Sequence, residues 1–541
     1  MRHHVLGSAA VLVAVSALVW SSAGWAQAID PPVVPPGPAP ADGEPGPDMP
    51  MKQVAGCVQT TVMPGSDLRE LPSALQTMDM PAAWKESTGA GVVVGIIDTG
   101  VAAQPRLPHL IAGGDYVMGR YGDGLSDCDA HGTVIASLIG AAPSGAPLPT
   151  RPRWAVAPPL PQAAPAPAPI PPPPPPPTVT VTATATVAPP PPPPPPAPED
   201  APAWGPGGGP QVPVPVAPPP GGGPDGLIGI APDAVLVSVR QSAQTFGFAE
   251  PPLGDNPQDV RRAGDIRSLA RAVVHMANLG AKVINISVVS CIAVGKPSDQ
   301  AELGAALRFA AVDRDAVIVT AAGNAGTEGC SQNPDPDPAD RADPLGWKTV
   351  QTIATPAWFS DYVLAVSATD AAGVPLTGQA ASLHGPWVGL GAPGTDIIGL
   401  STDGKVINAS VDNDKLKPIA GSSFASAFVA GTAALVRAKY PELSAHQVIR
   451  RLEATAHPPA AGRDPVVGYG VVDPVAALTW DVPPGDWLAP GVQMPLHRAP
   501  APPQPDQRPK WGAAAVAGAA TVMVGAVIWI ATVIRRRGRS A

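Results

Sequence analysis

The sequence predicts an α/β protein with a mostly parallel central sheet, one long proline-rich insertion and one C-terminal transmembrane helix. Short β-branched runs at 92–97, 235–239, 283–286 and 316–320 alternate with helical segments, which is typical of parallel strands covered by helices on both faces. Prolines, 77 among 541 residues, concentrate in three segments, and the segment 143–224 separates a helix from a strand of the same sheet. It is therefore an insertion into one domain rather than a linker between two.

The two ends of the chain carry segments that direct it to a membrane. Residues 1–28 combine a short basic start, an apolar stretch and small residues at a plausible cleavage point, as in a secretory signal peptide. Residues 512–534 carry no charge, are long enough to span a bilayer, and precede the basic tail 535–541. Because positive flanks remain cytoplasmic, we expect a single-pass protein of the cell membrane whose body lies on the extracytoplasmic side.

The remaining chain divides into three parts by composition. Residues 29–80 form an N-terminal extension that is partly proline-rich. Residues 81–482 carry the predicted strands and helices and form one large domain, which contains the insertion. Residues 483–511 read as a proline-rich stalk leading to the membrane. The sequence thus predicts one large folded domain with attached segments.

The proline-rich insertion has an internal pattern. Two proline runs, 171–177 and 189–196, flank the alternating Thr/Val stretch 178–187. Polyproline arms are stiff and would hold this stretch away from the body, where it is available to dock a partner. A solvated loop without a partner accounts for the composition equally well, so both interpretations stay open.

Charge and cysteine content restrict the kind of site. The net charge of −9 argues against nucleic acid as a main partner, because phosphate binding needs a basic face. The cysteines at 57, 128, 291 and 330 are even in number and lie on the exported side, so disulfides are expected, in any of three pairings. None has C-x-x-C spacing, and the aspartates in 335–343 match no calcium loop. No metal site and no cofactor is predicted.

Three polar residues stand at boundaries of predicted elements. Asp98 ends the first buried strand in I-I-D-T-G-V, His131 opens a helix in H-G-T, and Ser423 opens another in G-S-S-F-A. A serine hydroxyl becomes a nucleophile when a neutral imidazole takes its proton and a carboxylate fixes the imidazole tautomer. Singly, these residues are equally typical of caps and turns. Together, each at the boundary of a predicted element and in the order Asp, His, Ser, they predict a catalytic triad.

A fourth residue fits the same chemistry. Asn324 lies in A-A-G-N-A-G, directly after the strand 316–320. Its side-chain amide, with the backbone N–H of Ser423, is suited to stabilise the oxyanion of a tetrahedral intermediate. The alternative, an asparagine in a glycine-rich turn, is reasonable only when the other three residues are ignored.

With these motifs the sequence resembles the subtilase family of serine peptidases over roughly 92–478. The resemblance implies a subtilisin-like three-layer fold, the triad named above, and Asn324 as oxyanion donor. It also implies that Ser287, Val288 and Val289 bind an extended substrate by pairing with its main chain. Two positions depart from the family pattern: Ser422 stands where threonine is usual and Ala427 where proline is usual.

A narrower resemblance is to the mycosins, membrane-anchored subtilases of type VII secretion systems. It is carried by the two end segments, the cysteine three residues before His131, the insertion, and local matches at 51–53, 113–116 and 468–474. It implies a serine endopeptidase at the periplasmic face that acts on exported proteins and associates with a secretion membrane complex. The alternative is a mainly non-catalytic scaffold subunit that stabilises this complex.

The resemblance also favours one cysteine pairing. The extension is too short and proline-rich to fold as an inhibitory domain, so we expect it to wrap around the catalytic domain. A Cys57–Cys128 disulfide would fix it beside His131, and a Cys291–Cys330 disulfide would make the floor of the cleft rigid.

Overall fold

The structure, a computed structural model, describes residues 29–492, apart from 146–224, 251, 253–255, 297, 328 and 461, together with a helix over Arg508–Arg537. The predicted signal peptide, nearly all of the proline-rich insertion with its Thr/Val stretch, and part of the stalk lie outside the described residues.

Strands and helices are numbered in chain order. The strands are β1 (Met51–Gln53), β2 (Gln59–Thr61), β3 (Val93–Asp98), β4 (Leu110–Asp115), β5 (Val235–Arg240), β6 (Phe246–Phe248), β7 (Val283–Ile286), β8 (Ser290–Ala293), β9 (Val317–Ala321), β10 (Thr352–Thr355), β11 (Val363–Thr369), β12 (Val388–Pro393), β13 (Gly399–Leu400), β14 (Val406–Ile407), β15 (Ala409–Asp412) and β16 (Lys415–Pro418). The helices are α1 (Ser73–Thr77), α2 (Met80–Glu86), α3 (His131–Gly140), α4 (Pro257–Asn278), α5 (Ala301–Arg308), α6 (Ser422–Lys439), α7 (Ala445–Ala454), α8 (Pro474–Thr479) and α9 (Arg508–Arg537).

The central sheet has seven strands in the order β12-β11-β9-β7-β3-β5-β4. Every neighbouring pair in it is parallel. β3 lies between β5 and β7, with Ile96 opposite both Ser238 and Asn285. Parallel strands need crossover connections, and helices supply them, so the predicted α/β fold with a parallel sheet is confirmed.

Helices cover both faces of the sheet and give three layers. On β9, Val317 and Val319 belong to the core under α3 and α6, whereas Ile318 belongs to the core under α4 and α5. Successive strand residues point to opposite faces, so a strand buried on both sides must be apolar throughout. This requirement explains why the strands appear in the sequence as continuous β-branched runs.

The structure moves some predicted helix boundaries. The apolar spacing within 265–279 predicts a helix there. In the structure this helix begins earlier, at Pro257, because Asn256 caps it by accepting from the Gln258 N–H and proline suits the first helical position. The sequence also predicts one helix over 299–314. In the structure the α-helix ends at Arg308 and continues as a π-helical turn, Phe309–Asp313. Edge strand β4 was not predicted, since it is half exposed and contains two glycines.

The N-terminal extension, residues 29–80, contacts several parts of the catalytic domain; it is called the N-terminal segment below. β1 pairs antiparallel with β6, and β2 pairs antiparallel with β15. Between the start of the segment and β1, the Asp48 carboxylate accepts from Arg267 and Arg271 on α4, at 2.6 and 2.5 Å. The segment is therefore held by backbone pairing and by ion pairs along its length.

Helix α9 forms a separate unit. Its stretch Gly518–Arg535 has a mean hydropathy of 1.8, and its apolar side chains are exposed. By length and composition it is able to cross a membrane, as the sequence predicts.

Candidate active site

The predicted site residues meet at one edge of the central sheet. Asp98 is the last residue of β3, His131 is the first of α3, and Ser423 lies in the first turn of α6. Asn324 follows β9. His131, Asn324 and Ser423 line a cleft of about 900 Å³ at the carboxyl ends of these strands. Open α/β sheets place their ligand sites at this edge.

Asp98 and His131 form a close pair. The fully buried Asp98 places Oδ1 2.7 Å from His131 Nδ1. Glycine at 132 permits this approach, because a Cβ there would lie 2.1 Å from the carbonyl oxygen of Gly100. Burial alone would lower the pKa of His131, but the Asp98 charge and hydrogen bond outweigh it and raise that pKa above 6.5.

A second carboxylate, not singled out from the sequence, joins the two chain segments that carry this pair. Asp127 Oδ1 accepts from the Thr99 hydroxyl and the Asp129 N–H, at 2.9 and 3.1 Å. Its Oδ2 accepts from the N–H and the hydroxyl of Thr133, at 2.9 and 2.7 Å. Burial raises the pKa of Asp127 to about 6. Asp127 therefore holds the start of α3 against the segment that follows β3.

We predict that Asp127→Asn lowers kcat by about 10- to 100-fold and leaves KM nearly unchanged, because small displacements of reacting groups cost rates of this order. The amide cannot accept from all four donors, so the free energy of unfolding should also fall by about 1–3 kcal/mol. Steady-state kinetics on a fluorogenic peptide and thermal unfolding measure both effects. Asp123→Asn, which changes an exposed carboxylate four residues earlier, is the control. A rise in KM at constant kcat would contradict a positioning role.

The raised pKa of His131 predicts the pH dependence of the nucleophile. A general base must be neutral, so reactivity is present above the pKa of His131 and is lost as the pH falls through it. The rate of Ser423 labelling by a fluorophosphonate should therefore fall on the acid side with an apparent pKa above 6.5. Asp98→Asn removes the main cause of the increase and should move this limb to lower pH. A limb below 6.5 in the unmodified chain would contradict the prediction.

The Asn324 side chain is oriented by the residue before Ser423. Asn324 Oδ1 accepts from the N–H and the hydroxyl of Ser422, at 2.9 and 3.0 Å. The adjacent Gly421 has a φ of +142°, and a Cβ there would lie 3.2 Å from Asn324 Oδ1. Because the oxygen is engaged on this side, the amide nitrogen is left as the donor. The hydroxyl at 422 thus retains a role although threonine is the usual residue.

Beneath Ser423 lies a buried polar network. Ser423 Oγ donates to the carbonyl oxygen of Ser287 at 3.1 Å, and Ser287 Oγ lies 3.3 Å from the carbonyl oxygen of Ser423. Asn285 Nδ2 donates to Ser287 Oγ at 2.6 Å. Among the described residues, no hydrogen bond joins Ser423 Oγ to His131, whose ring instead packs 5.2 Å from that of Phe424. Ser287 and Ser423 were predicted from the sequence as site residues, but the hydrogen bonds between them and the role of Asn285 were not.

The other predicted site residues lie around the same cleft. Ser287, Val288 and Val289 line it between β7 and β8. Both disulfides favoured by the resemblance are present, with S–S distances of 2.00 Å for Cys57–Cys128 and 1.95 Å for Cys291–Cys330. The first joins the N-terminal segment to the residues before α3, and the second borders the Asn324 loop. The part of the chain that the structure describes contains no cluster of three or more His, Cys, Asp or Glu placed to hold a metal.

Comparison of the sequence with known proteins shows the family to which the chain belongs. The family profile described as "Subtilase family" matches residues 217–470. The chain is a serine endopeptidase of the subtilase type. It is 52% identical to Mycosin-5 of Mycobacterium tuberculosis over 565 residues, covering 98% of this chain and 96% of the relative. It is 40% identical to Mycosin-1 of Mycolicibacterium smegmatis, covering 89% and 88%. The chain belongs to the mycosin family of subtilases.

Solved structures agree in fold. MycP1 from Mycobacterium smegmatis superposes with a TM-score of 0.68 at 40% identity, covering 85% of this chain and 98% of that one. A chain of the structure described as an intact ESX-5 inner membrane complex superposes with a TM-score of 0.68 at 45% identity, covering 93% of this chain and all of that one. The subtilisin-like three-layer fold expected from the motifs is therefore confirmed.

Proposed function

We propose that this chain is a membrane-anchored endopeptidase in which Ser423 is the nucleophile, His131 the general base and acid, and Asp98 the carboxylate that orients it. Asn324 and the backbone N–H of Ser423 donate to the oxyanion. The observation that carries the proposal is the Asp98–His131 pair at 2.7 Å in a cleft that Ser423 and Asn324 also line.

The geometry supports a definite path for the proton. Asp98 accepts from Nδ1 of His131, so Nε2 is the nitrogen that remains to take the Ser423 proton as the hydroxyl attacks the scissile carbonyl. Negative charge then develops on the carbonyl oxygen, where the Asn324 amide donates to it. The protonated His131 next donates to the leaving amine, and water hydrolyses the acyl-enzyme by the same steps in reverse.

We further propose that the peptidase acts on exported proteins and associates with a type VII secretion membrane complex. A relative 45% identical to this chain is part of the ESX-5 inner membrane complex. Helix α9 is able to anchor the chain in a membrane by a single pass, and three arginines end it. The positive-inside bias then places the catalytic domain on the extracytoplasmic side.

Reaction with a fluorophosphonate tests the catalytic assignment. The full chain in detergent should be labelled, and Ser423→Ala should not be. Ser410→Ala, which changes a serine on β15, is the control and should be labelled like the unmodified chain. Equal labelling of the unmodified chain and Ser423→Ala would show that the assignment of the nucleophile is wrong.

A complementation experiment separates catalysis from a scaffold role. In cells lacking the chain, the unmodified protein should restore both secretion and cleavage of exported proteins. Ser423→Ala should restore assembly of the membrane complex but not cleavage. The scaffold alternative is not favoured, because the family and the site are those of a peptidase, and it would gain support only if no exported protein changed in length.

A further inference from the structure

The hydroxyl of Ser423 has a partner other than the proposed base. It donates to the carbonyl oxygen of Ser287 at 3.1 Å. Ser287 Oγ lies 3.3 Å from the carbonyl oxygen of Ser423, so the two residues are linked in both directions. Both residues are buried, with exposed fractions of 5% and 7%. In this state the proton of the nucleophile is directed away from His131.

The carbonyl of Ser287 is also where an extended substrate would bind. Ser287 directly follows β7 and lines the cleft with Val288 and Val289. A peptide that adds to this segment as a strand must place a main-chain N–H on one of its carbonyls. Among the described residues, the donor to the Ser287 carbonyl is the Ser423 hydroxyl itself.

We propose that the Ser287 carbonyl holds the Ser423 hydroxyl in a resting position, and that the main-chain amide of a bound extended peptide displaces the hydroxyl toward His131. The inference rests on the proposed function and adds a substrate-dependent step to it. A carbonyl oxygen has two lone pairs, but it accepts a second donor less strongly once the first is in place. The substrate amide and the nucleophile therefore compete for one acceptor.

The size of the effect follows from one hydrogen bond. A net contribution of about 1 kcal/mol corresponds to a resting population about fivefold larger than the reactive one. A small reagent that does not reach Ser287 encounters mostly the resting hydroxyl. A peptide whose amide binds the Ser287 carbonyl releases the hydroxyl and removes this fivefold excess of the resting position. By thermodynamic linkage, competition with the hydroxyl weakens the binding of that peptide by the same factor.

A pair of short peptides tests this competition. One is a tripeptide ending in a primary carboxamide, whose terminal N–H takes the place of the amide before the scissile bond. The other ends in a dimethylamide and has no donor at that position. Neither peptide extends to the scissile carbonyl, so Ser423 stays accessible to a small fluorophosphonate. The rate of labelling of the full chain in detergent is measured at increasing concentrations of each peptide.

At saturation, we expect the carboxamide to accelerate labelling of Ser423 by about fivefold. The dimethylamide should leave the labelling rate unchanged or lower it. Simple occupation of the cleft predicts slower labelling with both peptides. Equal slowing by the two would overturn the proposal. Labelling of Ser423 without acceleration rejects only the resting position, whereas absence of labelling with every reagent rejects the proposed function.

A binding measurement gives a second result that does not depend on reactivity. Ser423→Ala lacks the competing hydroxyl, so the carboxamide should bind this variant about fivefold more tightly than the unmodified chain. The dimethylamide should bind both equally. Calorimetry or fluorescence anisotropy measures the four affinities, and equal affinity of the carboxamide for the two proteins would contradict the competition.

Discussion

Replacing His131 by alanine is expected to lower kcat by about 10⁶-fold, because the nucleophile then has no group to take its proton. The loss should equal that of Ser423→Ala, and the double variant should lose little more, since residues that act as one unit are not additive. A fluorogenic peptide and long incubation times measure the residual rate. The position of α3 should be retained, because Asp127 holds it through Thr133 and not through the imidazole.

The control for this experiment is a histidine elsewhere on the surface. His457 is 73% exposed and pairs with Asp473 at 3.1 Å. His457→Ala should retain the full rate. If His131→Ala kept more than about one tenth of the original kcat, another group would have to serve as the base.

Substitution of Asn324 is expected to lower kcat by about 10²–10³-fold with a small change in KM, because the amide donates to charge that develops only in the transition state. Asn324→Ala removes both the donor and the acceptor of the Ser422 bonds. Asn324→Asp keeps the acceptor and replaces the donor by a negative charge, so it should be slower still. Separate determination of kcat and KM tests the assignment.

Ser422→Ala is the matched control for the Asn324 variants. It removes the hydroxyl bond to Asn324 Oδ1 and leaves the backbone N–H bond in place. Its kcat should fall by less than about tenfold. If Ser422→Ala and Asn324→Ala lost the same rate, Asn324 would act by holding the loop and not by donating to the oxyanion.

Sequence reasoning located the layers of the fold well, because strands buried on two faces leave a strong apolar signal. Strand Val283–Ile286 has the predicted bounds. Ser444 caps α7, and a serine directly before an apolar helical pattern is a cap signal that the sequence carries. Edge strand β4 gave no such signal, since one side of it faces solvent. The first two turns of α4 were missed because they carry polar residues, although Asn256 and Pro257 mark the start of the helix.

For the site, local motifs located the residues that the structure brings into one cleft. Their roles stay predictions. The residues that sequence reasoning missed are those whose function depends on contacts through space. Asp127 is defined by Thr99 and Thr133, and the Ser287 network by a helix more than a hundred residues away. A single sequence carries no pattern that reveals such contacts. The one hint for Asp127 is that it precedes His131 by four residues.

The pairing of β2 with β15 has a consequence for how the molecule reaches its native state. Thr61 lies opposite Ala409, and the Met63 N–H donates to Asn408 across 345 residues of sequence. Contacts between residues so far apart in sequence close very long loops, and they form slowly for that reason. Strand β1 meets its partner β6 earlier in the chain, but β2 has no strand partner until β15, in the last quarter of the chain, has been made. Ser423 follows β15 and β16 closely in sequence, so the nucleophile and the strand partner of β2 are made at nearly the same point of synthesis.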